Sequence, residues 1–523
     1  MKIGKMTGEC TRAMRFAAAA AVALAATTVM ADVSVAKIFS DNMVLQRGKP
    51  IPVRGKADPG EAVTVEYAGQ KATAKASDKG FFRAVLPPLK VEKEGKELVV
   101  AGKNRVVFKN VVVGDVWLVS GQSNSEMAFC WGIINGNAEM AKAKDYPNIR
   151  QVKFAHVTSA FPVKYESCNK GGWKVATQDT LPNITAEGYF MAREINAKTG
   201  IPIGILDDNW SGCKIEPFVC DEGLKSVPKL AKDYEGVVKA RKDILDWACK
   251  VAKLKEAGDN LGDAGAMPMM PNWTIQHNAM IEPIVDFPIC GATWYQGCSN
   301  GGEGMSYVTK LQALIGGWRA KWGYDFPFYI VQLASYTAKT TDPAGGNGYA
   351  KIRNAMRIAA QTIPNTGLAV AIDIGNDKDI HPKNKYDVGY RLSLWALRDV
   401  YGMKDLVVSG PMFKEMKVEG SKARLVFDHV GSGLMAGEKG PDTPGVKPTP
   451  TPDGRLRGFA VAGADKKWYW AEAVIDGKDV VVSAKEVSAP VAVRYAFRAN
   501  PMGDCNLYNK EGLPASPFRT DSW

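Results

Sequence analysis

Histidine is scarce, with 4 in 523 residues, so a base for acid–base chemistry has only His156, His277, His381 and His429 to come from. No Cys-x-x-Cys pair occurs, nor a His-Glu-x-x-His or a Gly-x-x-x-x-Gly-Lys-Ser/Thr segment. Structural zinc is therefore disfavoured, and the commonest metalloprotease and nucleotide-binding chemistries are removed. No stretch approaches the roughly 20 consecutive apolar residues that a membrane-spanning helix needs, so no membrane span is expected. Basic residues are spread among acids and never cluster with interleaved aromatics, so nucleic acid is not an expected partner. No internal repeat is visible. The chain is 46% apolar and 23% charged, ordinary folded proportions that exclude disorder.

What is present begins with a secretory pattern. Lys2, Lys5, Arg12 and Arg15 precede an apolar run over residues 16–26, and Val29-Met30-Ala31 ends it with small-residue cleavage chemistry. Residues 1–31 are thus expected to be a signal peptide, and the mature protein exported to the periplasm or the extracellular space. Removing four basic residues and one acid lowers the formal charge by three, from +12 to +9. Cys10 precedes the apolar run and so cannot be a lipid-anchored first residue. The remaining cysteines are even in number, which permits disulfides in an exported protein without fixing their pairing.

Residues 32–110 read as a β domain: short apolar alternations such as Val63-Thr64-Val65 are punctuated by turns at Asp58-Pro59-Gly60 and Asp78-Lys79-Gly80. From residue 111 the texture changes to near-continuous apolar strands at 111–120, 201–206, 289–296, 328–334 and 368–373. Runs of that kind belong to strands buried on both faces of a parallel sheet. Between them lie helical patterns, one carrying Tyr307, Leu311, Leu314, Ile315 and Trp318, another running from a Thr185 cap to Gly200. Strands alternating with helices predict an α/β domain over 111–405, interrupted by a Lys-rich helical insertion at about 225–257. Strand texture returns over 406–523, a second β domain whose Pro- and Gly-rich residues 439–454 form an extended loop.

Open parallel sheets gather their sites beyond the carboxyl ends of the strands. Gly121-Gln122-Ser123-Asn124 follows the first strand, Asn209-Trp210-Ser211-Gly212 the second, Gln296-Gly297 ends the third, and Asp379-Ile380-His381-Pro382 follows the last. Ser123 is the candidate nucleophile, because a strand-to-helix turn exposes its hydroxyl and offers backbone N–H groups to a developing oxyanion. It needs a base within reach, and of the histidines only His381 follows a strand of the sheet. Pro382 favours an extended backbone at His381, which puts Asp379 on the same side to orient the imidazole. The final glycine of the Gly-x-Ser-x-Gly elbow is missing, which disfavours an ordinary α/β-hydrolase.

With these blocks the sequence resembles the sialate O-acetylesterase family within the SGNH/GDSL hydrolases. The resemblance rests on Asp41-Asn42-Met43-Val44-Leu45-Gln46-Arg47, on Gly114-Asp115-Val116-Trp117 leading into Gly121-Gln122-Ser123-Asn124, and on Trp294-Tyr295-Gln296-Gly297. It continues through Asp379-Ile380-His381-Pro382-Lys383-Asn384-Lys385 and the tail Asn506-Leu507-Tyr508-Asn509-Lys510-Glu511-Gly512-Leu513-Pro514. It implies a three-layer α/β/α domain flanked by β-sandwich-like domains, and a serine esterase removing acetyl groups from carbohydrate without metal or organic cofactor. O-acetylated sialic acid is the favoured substrate and acetylated xylan-type polysaccharide the next. Carried over, Ser123 is the nucleophile, His381 the base, Asp379 its partner, and Gly212 N–H with the Gln296 side chain the oxyanion donors.

The chain departs from the family pattern in three places. Cys298 stands where a glutamate is usual after Trp-Tyr-Gln-Gly. Trp210-Ser211-Gly212-Cys213 replaces Trp-Gly-Gly-Thr. Lys378 occupies the place three before the histidine where the wider superfamily has its acid, leaving Asp377 as a fallback and an acid-free Ser–His dyad as a further alternative. A Cys213–Cys298 disulfide is one hypothesis these departures raise, and a non-catalytic carbohydrate-binding protein on the same scaffold is another.

Overall fold

A computed structural model describes residues 32–164 and 171–523; the expected signal peptide lies outside them. The fold is mixed α/β with several sheets. Its centre is a parallel array built on one long strand, β1 (Arg105–Gly121), whose residues from Val111 onward are all buried. β2 (Ile149–Lys153), β3 (Ile203–Asn209), β4 (Gly291–Tyr295), β5 (Phe328–Val331) and β6 (Thr366–Ala369) complete it in the order β2-β3-β1-β4-β5-β6, every neighbour parallel. A two-residue strand, Lys174–Val175, caps the β2 edge antiparallel.

Each of the five apolar runs overlaps a strand of this array, but the last, 368–373, keeps only its first two residues in β6 and passes into a 3-10 turn at Ile372–Ile374. β2 was not among the runs. Its Ile-Arg-Gln-Val-Lys reads as polar, yet four of its residues are buried. Arg150 donates to the Asn42 carbonyl at 3.1 Å and Gln151 to Asp207 Oδ2 at 3.1 Å. Hydrogen bonds thus do what apolar contact does in the other strands.

The first half of β1 belongs to a different structure. It pairs antiparallel with Glu92–Ala101 and parallel with Val44–Gln46, so the expected boundary at 110/111 falls inside a single strand. The first two motif blocks meet here: Arg47 Nε contacts both Asp115 carboxylate oxygens at 3.0 Å, and Gln46 Nε2 donates to Asp115 Oδ1 at 2.8 Å. This half-buried pairing ties the strand Val44–Gln46 to the root of β1.

Helices α1 (Ser123–Glu126), α2 (Ala186–Thr199), α3 (Ala231–Ala257), α4 (Ser306–Trp322), α5 (Ala350–Thr362) and α6 (Lys385–Asp399) alternate with the strands. Tyr307, Leu311, Leu314, Ile315 and Trp318 of α4 are fully buried, as their spacing predicts. α2 starts after Thr185, but the Thr185 hydroxyl donates to the Ser125 carbonyl at 2.6 Å instead of capping its own helix. α3 lies within the Lys-rich insertion and buries only Val237 of its 27 residues, the pattern of a surface helix. Beyond α6, β7 (Met412–Glu419) and β8 (Lys422–Asp428) open a set of antiparallel sheets that runs to the C-terminus.

Candidate active site

Gly121 ends β1 with φ +149°, and a Cβ there would sit 2.4 Å from the Tyr295 carbonyl oxygen, so only glycine lets β1 and β4 approach this closely. The next residue is fastened on the same side. Gln122 N–H donates to that Tyr295 oxygen at 3.0 Å, and Gln122 Oε1 accepts from the backbone N–H groups of Gly297 and Cys298, each at 2.9 Å. From β3, Trp210 N–H donates to the Gly121 carbonyl at 3.0 Å. Three strand ends are thereby stitched around the turn that presents Ser123 at the first position of α1.

Ser123 Oγ lies 2.8 Å from His381 Nε2, across 258 residues of sequence. The histidine sits on the loop between β6 and α6, where Asn376 Oδ1 accepts from the N–H groups of Lys378 and Asp379 and shapes the turn. Asp379 Oδ1 accepts from the His381 backbone N–H at 2.8 Å and stands 3.4 Å from His381 Nδ1. It therefore fixes the loop by a hydrogen bond and acts on the ring at a longer, electrostatic distance. Asp377 is exposed.

Charge around the pair is balanced toward a neutral imidazole. Burial lowers the His381 pKa, with Lys385 and Lys383 adding to the effect, while Asp379 opposes them. Burial would raise the Asp379 carboxyl, but the His381 N–H and Lys383 hold it below its ordinary value. Behind the serine, Asn124 donates to the Ile380 carbonyl at 3.0 Å and accepts from the wholly buried Lys385 ammonium at 2.6 Å. Ser125 Oγ donates to Glu187 Oε1 at 2.5 Å. Burial drives the Glu187 pKa up and the Lys385 pKa down, so the two share a site in which neither charge is comfortable.

Two assignments change. Gln296 is fully buried and directs both amide hydrogens inward, to the Cys213 carbonyl at 3.1 Å and Asn300 Oδ1 at 2.8 Å, while its Oε1 accepts from Tyr307 at 2.6 Å. No amide hydrogen is left for an oxyanion. Its polarity and place at a strand end are those of a catalytic residue, but its hydrogens serve the packing beneath the site. Cys213 and Cys298 are both free thiols, so the disulfide between them does not form; Cys249 is the disulfide-bonded cysteine among the described residues.

Gly212 is exposed in left-handed backbone with φ +73°. Among the described residues, neither its N–H nor that of Ser123 donates a hydrogen bond. The Gly212 loop is held by Glu126, whose Oε2 accepts from Ser211 N–H at 3.0 Å and Ser211 Oγ at 2.6 Å. Glu126 Oε1 in turn meets His156 Nε2 at 3.1 Å, and that imidazole stacks on Trp210 with centroids 4.7 Å apart. Glu126 and His156 were not legible as site residues, because nothing in the sequence brings His156 to Trp210. On the other flank Trp131, 40% exposed, meets the His381 ring edge-on at 6.2 Å. Among the described residues no group of three or more His, Cys, Asp and Glu could hold a metal, and no helix is long and apolar enough to cross a membrane.

No family model matches the chain. Individual relatives do. It is 27% identical to the sialate O-acetylesterase of Homo sapiens, covering 92% of this chain and 91% of that one, and 25% identical to the sialate O-acetylesterase of Mus musculus over 92% and 93%. Among solved structures it matches a carbohydrate acetylesterase from Xanthomonas citri at 35% identity with a TM-score of 0.77, over 94% of this chain and all of that one. The chain belongs to the sialate O-acetylesterase family and is a carboxylic-ester hydrolase.

Proposed function

We propose that the protein is an exported serine esterase that removes acetyl groups from O-acetylated carbohydrate, with O-acetylated sialic acid its preferred substrate. The observation that carries the serine mechanism is the 2.8 Å approach of Ser123 Oγ to His381 Nε2. Ser123 gives its proton to Nε2 as Oγ bonds the acetyl carbonyl carbon, and the imidazolium then protonates the departing sugar oxygen. Water, deprotonated by His381, cleaves the acetyl-enzyme, releasing acetate and returning the proton to Ser123. The unengaged N–H groups of Ser123 and Gly212 are the oxyanion donors in this reading, and losing such a donor typically costs about a hundred- to thousandfold in turnover. Trp131 supports a sugar substrate: its exposed face beside His381 suits the apolar side of a pyranose ring.

The parallel sheet and its helices are read as an SGNH-type three-layer domain, with residues 32–110 and 406–523 as flanking β domains. Export rests on the N-terminal pattern alone, and N-terminal sequencing of the secreted protein should begin at Asp32. Acetate release is measured on O-acetylated sialosides and acetylated xylan. Wild type should turn over the sialosides faster, and Ser123→Ala and His381→Ala should abolish hydrolysis of both. Equal turnover by all three proteins removes the site assignment, while faster release from xylan replaces the substrate and leaves the mechanism.

A further inference from the structure

Away from the catalytic loops, a cavity of about 710 Å³ lies between α5, α6, β6 and the β7–β8 hairpin. It reaches Thr366 at the first position of β6, whereas Ser123 follows the opposite, carboxyl end of β1. Arg357, Arg398 and Lys414 line it, and Asp428 is the one acid among the lining residues; Trp395 and Phe413 add apolar wall.

Arg357 is unusual for its surroundings. It is 6% exposed, and its guanidinium nitrogens meet only neutral acceptors: Gln361 Oε1 at 2.6 Å, Asn354 Oδ1 at 2.9 Å and the Phe413 carbonyl at 3.4 Å. Its Nε is buried without a hydrogen-bond partner. Buried cations are ordinarily paired, because an isolated one forfeits its hydration without an opposing charge. The neighbouring cations do have acids: Arg398 is 2.7 Å from Asp399 and packs 4.6 Å over the Trp395 ring, and Lys414 is 3.2 Å from Asp428. Arg357 is the charge left over.

We propose that this cavity binds a sugar acid, whose carboxylate supplies the countercharge that Arg357 lacks. The space far exceeds an inorganic ion and lies in the range of about 300–1,000 Å³ typical of small-molecule sites. Gln361, Thr366 and Asp428 offer hydrogen bonds to hydroxyls, and the aromatic wall takes the ring. The site is separate from the ester-hydrolysing one and does not depend on its mechanism.

The test is calorimetric titration of the full chain with glucuronate, glucose and inorganic phosphate. Glucuronate should bind saturably and glucose should not, with phosphate at least tenfold weaker than glucuronate. In Arg357→Gln glucuronate affinity should fall at least tenfold while hydrolysis of an activated acetyl ester, which reports an intact fold, is unchanged; Arg398→Gln/Lys414→Gln, at the cavity rim, should lose less. Ser123→Ala should bind glucuronate as wild type does. Absence of saturable binding, wild-type affinity in a folded and active Arg357→Gln, or phosphate binding as tightly as glucuronate would overturn the proposal.

Discussion

Asn124 donates its side-chain amide to the carbonyl oxygen of Ile380 at 3.0 Å, so one hydrogen bond joins the residue after Ser123 to the residue before His381. The Lys385 ammonium on Asn124 Oδ1 fixes which end of that amide faces the loop. Two segments that meet only through tertiary structure are held in register beside the reacting atoms. Misplacing a reacting group by about 1 Å costs on the order of a hundredfold in rate. Asn124→Ala should therefore lower kcat about ten- to a hundredfold with little change in KM. A kcat within twofold of wild type would show that the loop holds its position without this bond.

The pH profile follows from His381, which accepts the Ser123 proton only when neutral. Burial lowers its pKa, so the rise of activity with pH should have its midpoint below the ordinary value of about 6.5. Asp379 is the influence favouring the imidazolium. In Asp379→Asn the midpoint should move to still lower pH, while the plateau rate falls about tenfold or more because the charged intermediate loses its support. An upward shift of the midpoint in kcat/KM profiles would contradict the sign.

Gln296 separates a rate effect from a stability effect. If its amide only serves the packing beneath the site, Gln296→Ala orphans the Cys213 carbonyl and removes one of the bonds at Asn300 Oδ1 and at the Tyr307 hydroxyl, which keep the Ile215 N–H and the residue 296 carbonyl. Such an orphan costs about 1–3 kcal/mol, so chemical denaturation should show a clear loss of stability. A hundredfold fall in kcat with an unaltered denaturation midpoint would return the oxyanion role to this residue.

His277 gives a stability prediction remote from the chemistry. Both ring nitrogens are buried without partners, and burial lowers its pKa to about 3. The unfolded chain binds a proton near pH 6.5 that the folded chain refuses. The contribution is thus fully present above pH 6.5 and is lost as the pH falls toward 3. The slope from this one group is about 1.4 kcal/mol per pH unit in that window. His277→Gln should flatten the acid limb of unfolding free energy measured between pH 4 and 6; an unchanged slope would place the lost proton elsewhere.

The parallel strands were legible because burial on both faces leaves an unbroken apolar run, and the polar clusters at their carboxyl ends pointed to Ser123, His381 and Asp379. β2 was not legible, since Arg150 and Gln151 are buried through hydrogen bonds to distant partners and look like surface residues in the sequence. The same limit explains Gln296 and Cys213: a residue type at a strand end shows that a side chain is near the site, not which way its hydrogens point. Glu126 and His156 lay beyond reach because their meeting is purely tertiary.

β1 runs as one 17-residue strand from the N-terminal antiparallel pairing into the middle of the parallel array. A truncation at residue 110 would cut the first six residues, 105–110, from that strand and strip the remainder of its partners along Glu92–Ala101. Because the flanking β domain and the parallel array share this strand, calorimetry should find both portions melting together in a single endotherm.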